Sequence, residues 1–318
     1  MNNKTALIFG CSGQDGSLLS KLLIQKGLKV VGISRKQQSQ KNNLQRLGIE
    51  DDIEHLKGDI LDNELIRNLL ESYSPDEVYN LAAQSSVGKS FNLPLQTLDG
   101  IITGTLNLLE SAKSMNFSGS MFFAGSSEMF GSTKKRATIN NPQLPLSPYA
   151  VAKQASFNLV RIYRDSYHLK CFTGVLFNHE SELRNDNFVT HKIINAAIEC
   201  SRDKTTKITL GNINIQRDWG WAEEYVEAMK IITSSKLNED FVICTGKTTK
   251  LEKIIDLAFK KFNLTWQDHI QIDKNLFRKQ EIEKSVGDPE YLKKALNWEA
   301  RLNIKEIVDN LIEKKLND

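Results

Sequence analysis

Tyr149 and Lys153 are the residue pair whose types and spacing most directly indicate chemistry. They are four residues apart at the start of a predicted helix, so both side chains lie on one helix face. A nearby cation lowers the pKa of a phenol, so we expect Lys153 to let Tyr149 act as a general base near neutral pH. The pair follows a predicted strand whose end carries Ser126 and Glu128. A surface tyrosine and a helix-capping serine remain the alternative interpretation.

Three glycines form a second candidate site. Gly10, Gly13 and Gly16 lie between a short apolar run and a stretch with helical spacing of leucines. In a dinucleotide fold the first glycine permits a tight turn and the second lets the backbone approach a pyrophosphate. The third allows close packing of helix on strand. The helix N-terminus adds free N–H groups and a positive dipole end for the phosphates. A glycine-rich loop without a ligand is the alternative.

The end of the second predicted strand favours one cofactor over another. An NAD site normally has Asp or Glu there for the ribose hydroxyls, whereas this chain has Arg35 and Lys36. There is no acidic residue from Gly16 to Ile49. Two cations suit the 2′-phosphate of NADP, although a solvated basic loop would have the same composition.

Strands and helices alternate in a way that predicts the fold class. Short apolar runs at 6–9, 29–33, 77–81, 120–124 and 171–177 alternate with helical stretches near 62–72, 97–115 and 149–168. A later apolar run, 241–244, predicts another strand. This order predicts an α/β fold of the Rossmann type, a doubly wound parallel sheet, followed by a smaller α/β substrate-binding lobe. We place the cofactor-binding domain at 1–177 and the lobe at 178–318, with about 221–246 returning to the first domain. The polar stretch 35–46 is predicted to be a loop.

Composition excludes several classes of protein. The 318 residues include 42 Lys plus Arg and 39 Asp plus Glu, and a net charge of +3 gives no sign of nucleic-acid binding. No apolar run approaches the roughly 18 residues of a membrane helix, and the first residues do not resemble a signal peptide. Four scattered cysteines and the absence of a His-x-x-x-His pair predict a cytoplasmic protein without disulfides or a metal.

The chain resembles the extended short-chain dehydrogenase/reductases and, within them, the GDP-mannose 4,6-dehydratase family. A hydroxyl at the end of the 120–126 strand completes the Ser–Tyr–Lys arrangement of that superfamily. The stretches Asn178-His179-Glu180-Ser181 and Arg217-Asp218-Trp219-Gly220 are the most diagnostic of the family. Further matching stretches run almost end to end, at 13–16, 79–85, 127–131, 147–149, 176–181, 187–190, 211–212 and 225–229.

The resemblance implies a reaction in three stages. Tyr149 takes the proton of the C4 hydroxyl of a GDP-hexose while the C4 hydride passes to NADP. Glu128 takes the C5 proton and, with Ser126, helps the C6 hydroxyl leave as water. The hydride then returns to C6, which gives a GDP-4-keto-6-deoxyhexose. The resemblance also implies a homodimer or homotetramer.

The resemblance assigns binding roles to further positions of this chain. The expected catalytic residues are Ser126, Glu128, Tyr149 and Lys153. The expected cofactor-binding residues are Gly10, Gly13, Gln14, Asp15, Gly16, Arg35, Lys36, Asp59, Ile60, Leu81, Ala82, Ala83, Tyr149 and Lys153. The expected sugar-nucleotide contacts are Ser85, Asn178, Asn187, Val189, Lys192, Arg217, Arg278 and Glu281, with cations on the diphosphate and Glu281 on the guanine or ribose.

Several positions depart from the usual pattern of the family and leave the substrate open. They are Gly125, Ser126, Leu146, Glu182, Asn185, His191 and the pair Lys279-Gln280. A GDP-heptose or GDP-N-acetylglucosamine would need the same chemistry at C4, C5 and C6. A sugar-nucleotide 4-reductase would consume NADPH, an epimerase would release no water, and a binding or scaffold protein would do neither.

Overall fold

The computed structural model describes residues 4–35, 42–278 and 280–317, and these contain twelve strands. The strands are β1 (Thr5–Phe9), β2 (Lys29–Ser34), β3 (Glu54–Lys57), β4 (Glu77–Asn80), β5 (Ser120–Ser126), β6 (Cys171–Leu176), β7 (Asn178–Glu180), β8 (Ile208–Leu210), β9 (Gln216–Trp221), β10 (Phe241–Ile243), β11 (Thr248–Lys250) and β12 (Ile270–Ile272).

The same residues contain twelve α-helices. They are α1 (Gln14–Gln25), α2 (Asn43–Arg46), α3 (Asn63–Tyr73), α4 (Val87–Asn92), α5 (Pro94–Leu98), α6 (Gly104–Ser114), α7 (Pro148–Tyr167), α8 (Val189–Arg202), α9 (Ala222–Ser234), α10 (Leu251–Lys260), α11 (Glu290–Leu296) and α12 (Ile304–Asn317). A π-helical turn, Asp99–Thr103, joins α5 to α6.

Seven parallel strands form the central sheet, in the order β3-β2-β1-β4-β5-β6-β10. Helices cover both faces of this sheet, which explains why the buried residues 6–9 of β1 are all apolar. Ala6 and Ile8 lie in the hydrophobic cluster on the face covered by α1 and α9, and Leu7 and Phe9 lie in the cluster on the face covered by α3, α6 and α7. The strand order reverses beside β1 and β4, which places a ligand crevice at the carboxyl ends of these strands.

The structure confirms the predicted fold class and corrects some of the elements. β3 was not predicted, because Glu54-His55-Leu56-Lys57 lacks an apolar run even though it pairs with β2. The predicted loop at 35–46 is wrong over 43–46, where α2 forms behind a capping box of Asn42 and Gln45. Residues 36–41, which include the candidate Lys36, lie outside the described residues.

The chain beyond residue 177 contributes to both parts of the fold. β10 extends the central sheet beside β6, and α9 packs on α1. Two small sheets, β11-β9-β7 and β12-β8, lie outside the central sheet together with α8, α10 and α12. The division at residue 177, with 221–246 returning to the first domain, stays a prediction.

The described residues contain neither a membrane-spanning helix nor a metal-binding cluster. None of their helices is both long and apolar enough to cross a lipid bilayer. No group of three or more His, Cys, Asp or Glu side chains within them is arranged to hold a metal ion. The four cysteines are buried and have free thiols rather than disulfide bonds.

Candidate active site

A cleft of about 890 Å³ opens at the carboxyl ends of the central strands. It brings together most of the residues that the sequence singled out. Its lining includes Gly10, Gly13, Gln14, Asp15, Gly16, Leu81, Ala83, Ser85, Ser126, Glu128, Tyr149, Lys153, Asn178, Asn187, Val189, Lys192, Arg217, Arg278 and Glu281. The binding roles assigned to these residues remain predictions, but their convergence from distant parts of the chain is a finding.

Four candidates lie outside that lining. Arg35 and Asp59 follow the carboxyl ends of β2 and β3, so they stand at the same edge of the sheet as the cleft. Ile60 is buried against the start of α6, where a Cβ on Gly104 would lie 2.7 Å from its Cγ2. Ala82 lines a small separate cavity behind Lys153.

Tyr149 and Lys153 are positioned by the start of α7. Ser147 caps this helix by accepting a hydrogen bond from the N–H of Ala150 at 3.1 Å, and Pro148 occupies its first turn. Both side chains are buried, and Lys153 Nζ lies 5.8 Å from the centroid of the Tyr149 ring. The ammonium donates to the carbonyl of Ala124 at 2.7 Å. The helix therefore presents the pair to the cleft from one face.

The expectation that the pKa of Tyr149 lies below its usual value is wrong. Burial raises the pKa of Tyr149 to about 12, although a hydrogen bond with Ser126 acts in the opposite direction. Burial lowers the pKa of Lys153 to about 8. The spacing of the two residues indicated their common face, but it carried no information about their desolvation.

Glu128 lies in a 3₁₀ turn, Ser127–Phe130, directly after β5. Its backbone N–H donates to Ser126 Oγ at 3.3 Å, which fixes the turn. Burial raises the pKa of the Glu128 carboxyl, while the charges of Arg278 and Arg217 lower it. A carboxyl whose pKa is raised toward neutrality can both take and return a proton.

The three glycines of the loop bring backbone atoms close to one another at the cleft. Gly10 has a φ of +89°, and a Cβ there would lie 2.7 Å from the carbonyl oxygen of Leu81. A Cβ on Gly16 would lie only 2.1 Å from the carbonyl oxygen of Gly10. Gly13 caps α1 without a side-chain hydrogen bond, which leaves the first N–H groups of this helix facing the cleft. These features fit the diphosphate of a dinucleotide.

A Gly16→Ala variant is expected to lose both stability and cofactor binding. The new methyl group would meet backbone atoms that cannot move without opening the loop. Overpacking of this kind lowers the free energy of unfolding by about 1–3 kcal/mol. Thermal unfolding and calorimetric titration with NADP would measure the two effects. Gly100→Ala is the matched control, because a Cβ there meets nothing within 4 Å. A Gly16→Ala protein with wild-type stability would contradict the packing argument.

Sequence reasoning missed the role of His179. Its Nε2 lies 3.0 Å from the carboxylate of Asp15, its Nδ1 lies 2.7 Å from the carbonyl of Phe177, and its ring stacks on Tyr225 at 4.6 Å. Burial lowers the pKa of His179, but the charge and the hydrogen bond of Asp15, with the hydrogen bond to Phe177, together outweigh burial and the net pKa is raised. The pair links the glycine loop to β7. His179 belongs to the diagnostic stretch 178–181, in which the sequence indicated a binding role only for Asn178.

Arg217 and Glu281 contact each other in the structure. Arg217 is buried, donates to the carbonyl of Ile282 at 2.6 Å and pairs with Glu281 at 3.2 Å. Arg278 lies 3.8 Å from the same carboxylate. Two of the three predicted diphosphate cations therefore share an acidic partner at the cleft. The sequence indicated these residues singly, because its spacing could not show that Glu281 lies between two arginines.

The unusual Gly125 has a packing explanation. A Cβ at this position would lie 2.6 Å from Cγ2 of Thr173 on the neighbouring strand. We expect Gly125→Ser to lower the free energy of unfolding by about 1–3 kcal/mol. Thr173→Ser removes the opposing methyl group, so the double variant should recover part of the loss. Denaturant unfolding of both single variants and the double variant measures this coupling. Additive losses would show that Thr173 does not restrict position 125.

The parallel sheet and the Ser126–Tyr149–Lys153 set at its carboxyl edge define a short-chain dehydrogenase/reductase. A family model described as GDP-mannose 4,6 dehydratase matches residues 7–311. The chain is 39% identical over 326 residues to GDP-mannose 4,6 dehydratase 1 of Arabidopsis thaliana, covering 98% of this chain and 90% of that protein. It is 33% identical to the human GDP-mannose 4,6 dehydratase, covering 96% and 90%. The chain therefore belongs to the GDP-mannose 4,6-dehydratase family.

Solved structures agree with the fold. A dTDP-glucose 4,6-dehydratase from Bacillus anthracis, in complex with NAD, superposes with a TM-score of 0.86 at 18% identity, covering 99% of this chain and 97% of that one. A UDP-glucose 4-epimerase from Thermotoga maritima superposes with a TM-score of 0.87 at 20% identity, covering 99% and 100%. At these identities the likeness concerns the fold alone. The predicted family and fold class are confirmed.

Proposed function

We propose that the chain is an NADP-dependent GDP-mannose 4,6-dehydratase, a hydro-lyase that forms GDP-4-keto-6-deoxymannose. The observation that carries this proposal is the placement of Glu128 in the same cleft as Ser126, Tyr149 and Lys153. A dehydrogenation at C4 needs only the tyrosine, lysine and serine. A partly buried carboxyl with a raised pKa supplies the further proton transfer that loss of water requires.

The chain's own residues would divide the proton transfers among them. When bound, NADP supplies a hydride acceptor and, once reduced, a hydride donor. Tyr149 accepts the proton of the C4 hydroxyl, and the Ser126 hydroxyl orients that group. The C4 ketone acidifies the C5 proton, which Glu128 accepts. The carbon–oxygen bond at C6 breaks when Glu128 returns a proton to the leaving hydroxyl, with Ser126 assisting, so that water departs. The product would then form by return of the hydride to C6 and addition of a proton at C5, which balances the proton that Tyr149 took from the C4 hydroxyl and gives up again.

A nicotinamide dinucleotide fits the glycine loop. Gly10 and Gly16 hold the loop close to the neighbouring backbone, and the N-terminus of α1 faces the cleft. The preference for NADP over NAD rests on Arg35 and on Lys36, which lies outside the described residues. Asp59 and Ile60 are proposed to lie beside the adenine, and Leu81, Ala82 and Ala83 beside the rest of the cofactor.

The sugar nucleotide would lie in the half of the cleft formed by β7, α8 and β9. Lys192, Arg217 and Arg278, which all line the cleft, are the proposed partners of the diphosphate. Ser85, Asn178, Asn187 and Val189 are proposed to contact the hexose or the nucleotide. Glu281 is proposed to face the guanine or ribose. A cytoplasmic homodimer or homotetramer is the form we propose, with no nucleic-acid or membrane partner.

Product analysis tests the proposal and its alternatives. Purified protein is incubated with GDP-, UDP-, CDP- and dTDP-hexoses and catalytic NADP or NAD, and products are measured by mass spectrometry. We expect GDP-mannose to lose one water without net reduction of the cofactor. Stoichiometric NADPH consumption would identify a 4-reductase, and an isomer without water loss an epimerase. Preferred turnover of a GDP-heptose or GDP-N-acetylglucosamine would change the substrate but keep the reaction. No turnover of any GDP sugar would refute the proposal.

A further inference from the structure

One wall of the cleft has no regular secondary structure. Residues 181–188, which we call the wall segment, connect β7 to α8, and residues 182–188 all line the cleft. The segment consists of two turns, closed by bonds from the N–H of Arg184 to Ser181 O at 3.2 Å and from the N–H of Phe188 to Asn185 O at 3.0 Å. Because turns lack the ladder of a sheet, side chains from neighbouring elements must hold the segment in place.

The wall segment carries groups that matter to a ligand in the cleft. Arg184 donates to the carbonyl of His179 at 2.5 Å and to Glu180 at 3.1 Å, and its guanidinium lies over the Phe188 ring at 4.0 Å. The segment also contains Asn187 and leads directly into Val189, two of the proposed sugar-nucleotide contacts. A shift of this wall would therefore move several binding groups together.

The last turn of the C-terminal helix holds the segment by two ion pairs. Lys314 Nζ lies 2.9 Å from Glu182 Oε1, and Lys315 Nζ lies 2.9 Å from Asp186 Oδ1. The helix itself is fixed independently, because its apolar face packs in a core cluster shared with α8 and α10. It therefore adds a rigid support to the hydrogen bonds that Asn43, Arg46 and His191 make to backbone carbonyls of the segment.

Charge and burial make the Lys314–Glu182 pair important. Glu182 is 8% exposed, and its Oε2 has no hydrogen-bond partner among the described residues. Burial lowers the pKa of Lys314, but the hydrogen bonds and charges of Glu182 and, to a smaller extent, Glu223 together outweigh it and the net pKa is raised. The hydrogen bond from Lys315 is the main reason that the pKa of Asp186 falls to about 2. Removing Lys314 leaves a buried carboxylate that must move toward water.

We propose that Lys314 is a positioning residue for sugar-nucleotide binding, acting through Glu182 to hold the wall segment against the C-terminal helix. This inference rests on the proposed function for the identity of its ligand. Lys314 lies outside the lining of the cleft, whereas Glu182 belongs to it. Lys314 also pairs with Glu223 of α9 at 3.6 Å, but only its nearer partner Glu182, at 2.9 Å, lines the cleft, so the effect of Lys314 on ligand binding passes through the wall segment.

Steady-state kinetics of three variants measure the effect. Lys314→Glu is expected to raise KM for GDP-mannose about tenfold, with kcat changed less than about threefold, because ground-state positioning is lost while the catalytic groups stay intact. Lys314→Arg should keep the wild-type KM. Lys305→Glu, at the other end of the same helix and exposed, is the charge-matched control. The reversed pair, Lys314→Glu with Glu182→Lys, should recover most of the affinity.

Two measurements independent of turnover keep this inference separate from the proposed function. Hydrogen exchange of the peptide spanning 181–188 should accelerate in Lys314→Glu but not in Lys305→Glu, and calorimetry with GDP should show the same ranking of affinity. A wild-type protein that is inactive on GDP-mannose would refute the proposed function. These two measurements would still test whether Lys314 holds the wall segment in place. Unchanged exchange and affinity in Lys314→Glu, or equal effects of both lysine variants, would refute the inference.

Discussion

A Glu128→Gln variant is expected to stop the loss of water while sparing oxidation at C4. The amide has nearly the shape of the carboxyl but cannot accept the C5 proton. Ser126, Tyr149 and Lys153 remain in place, since the backbone N–H of residue 128, and not its side chain, makes the bond to Ser126. Loss of a positioned acid–base group lowers the rate by about 10²- to 10⁴-fold.

Single-turnover experiments separate the two steps in this variant. Reduced nicotinamide should accumulate on the enzyme and be visible by its near-ultraviolet absorbance, while mass spectrometry finds no dehydrated product. Glu283→Gln is the matched control, because Glu283 is exposed and outside the cleft, and it should turn over normally. A Glu128→Gln protein with wild-type turnover would exclude Glu128 from the reaction.

A Tyr149→Phe variant is expected to lose the first step as well. Without the phenol no group of the chain accepts the C4 proton, so neither reduced cofactor nor dehydrated product should form at more than about 10⁻²–10⁻⁴ of the normal rate. The same two assays apply. Tyr167→Phe, on the same helix but 45% exposed, is the control and should behave as wild type. Normal accumulation of reduced cofactor in Tyr149→Phe would assign the base to another residue.

The pH dependence of kcat/KM should report the two buried groups in opposite directions. Burial raises the pKa of Tyr149 to about 12, so the phenolate fraction grows as pH rises. Burial lowers the pKa of Lys153 to about 8, so the lysine loses its charge above that pH. We therefore expect kcat/KM to rise with pH and then to level off near pH 8, a change of slope that we call the bend. Lys153→Arg keeps its charge and should move the bend upward; an unmoved bend would belong to another group.

Local sequence patterns predicted much of the central sheet. Six of its seven strands were recognised, because most strands buried on both faces are apolar runs ended by glycine or polar residues. The strand β3 was missed because only one of its four residues, Leu56, is apolar, as fits its place at the edge of the sheet beside β2. The helix α2 escaped because four residues give too little periodicity, and only its capping box marks it.

In the candidate site too, some relations between residues follow from local spacing and others depend on the whole fold. Tyr149 and Lys153 share a face because one helical turn separates them, and Gly10, Gly13 and Gly16 form one loop because they are close in the chain. Their relation to Glu281, which lies more than one hundred residues further on, depends on the folding of the whole chain. Spacing along the chain carries no information about such a contact.

The sequence by itself determined the family, the parallel sheet and the four residues proposed for catalysis, because these depend on local spacing and on motifs. The tertiary structure alone decided the Asp15–His179 pair, the Arg217–Glu281 pair and the support of the wall segment by Lys314. It also decided the pKa directions of Tyr149 and Lys153. Burial and contacts between residues distant in the chain set these properties, and neither exists until the chain has folded.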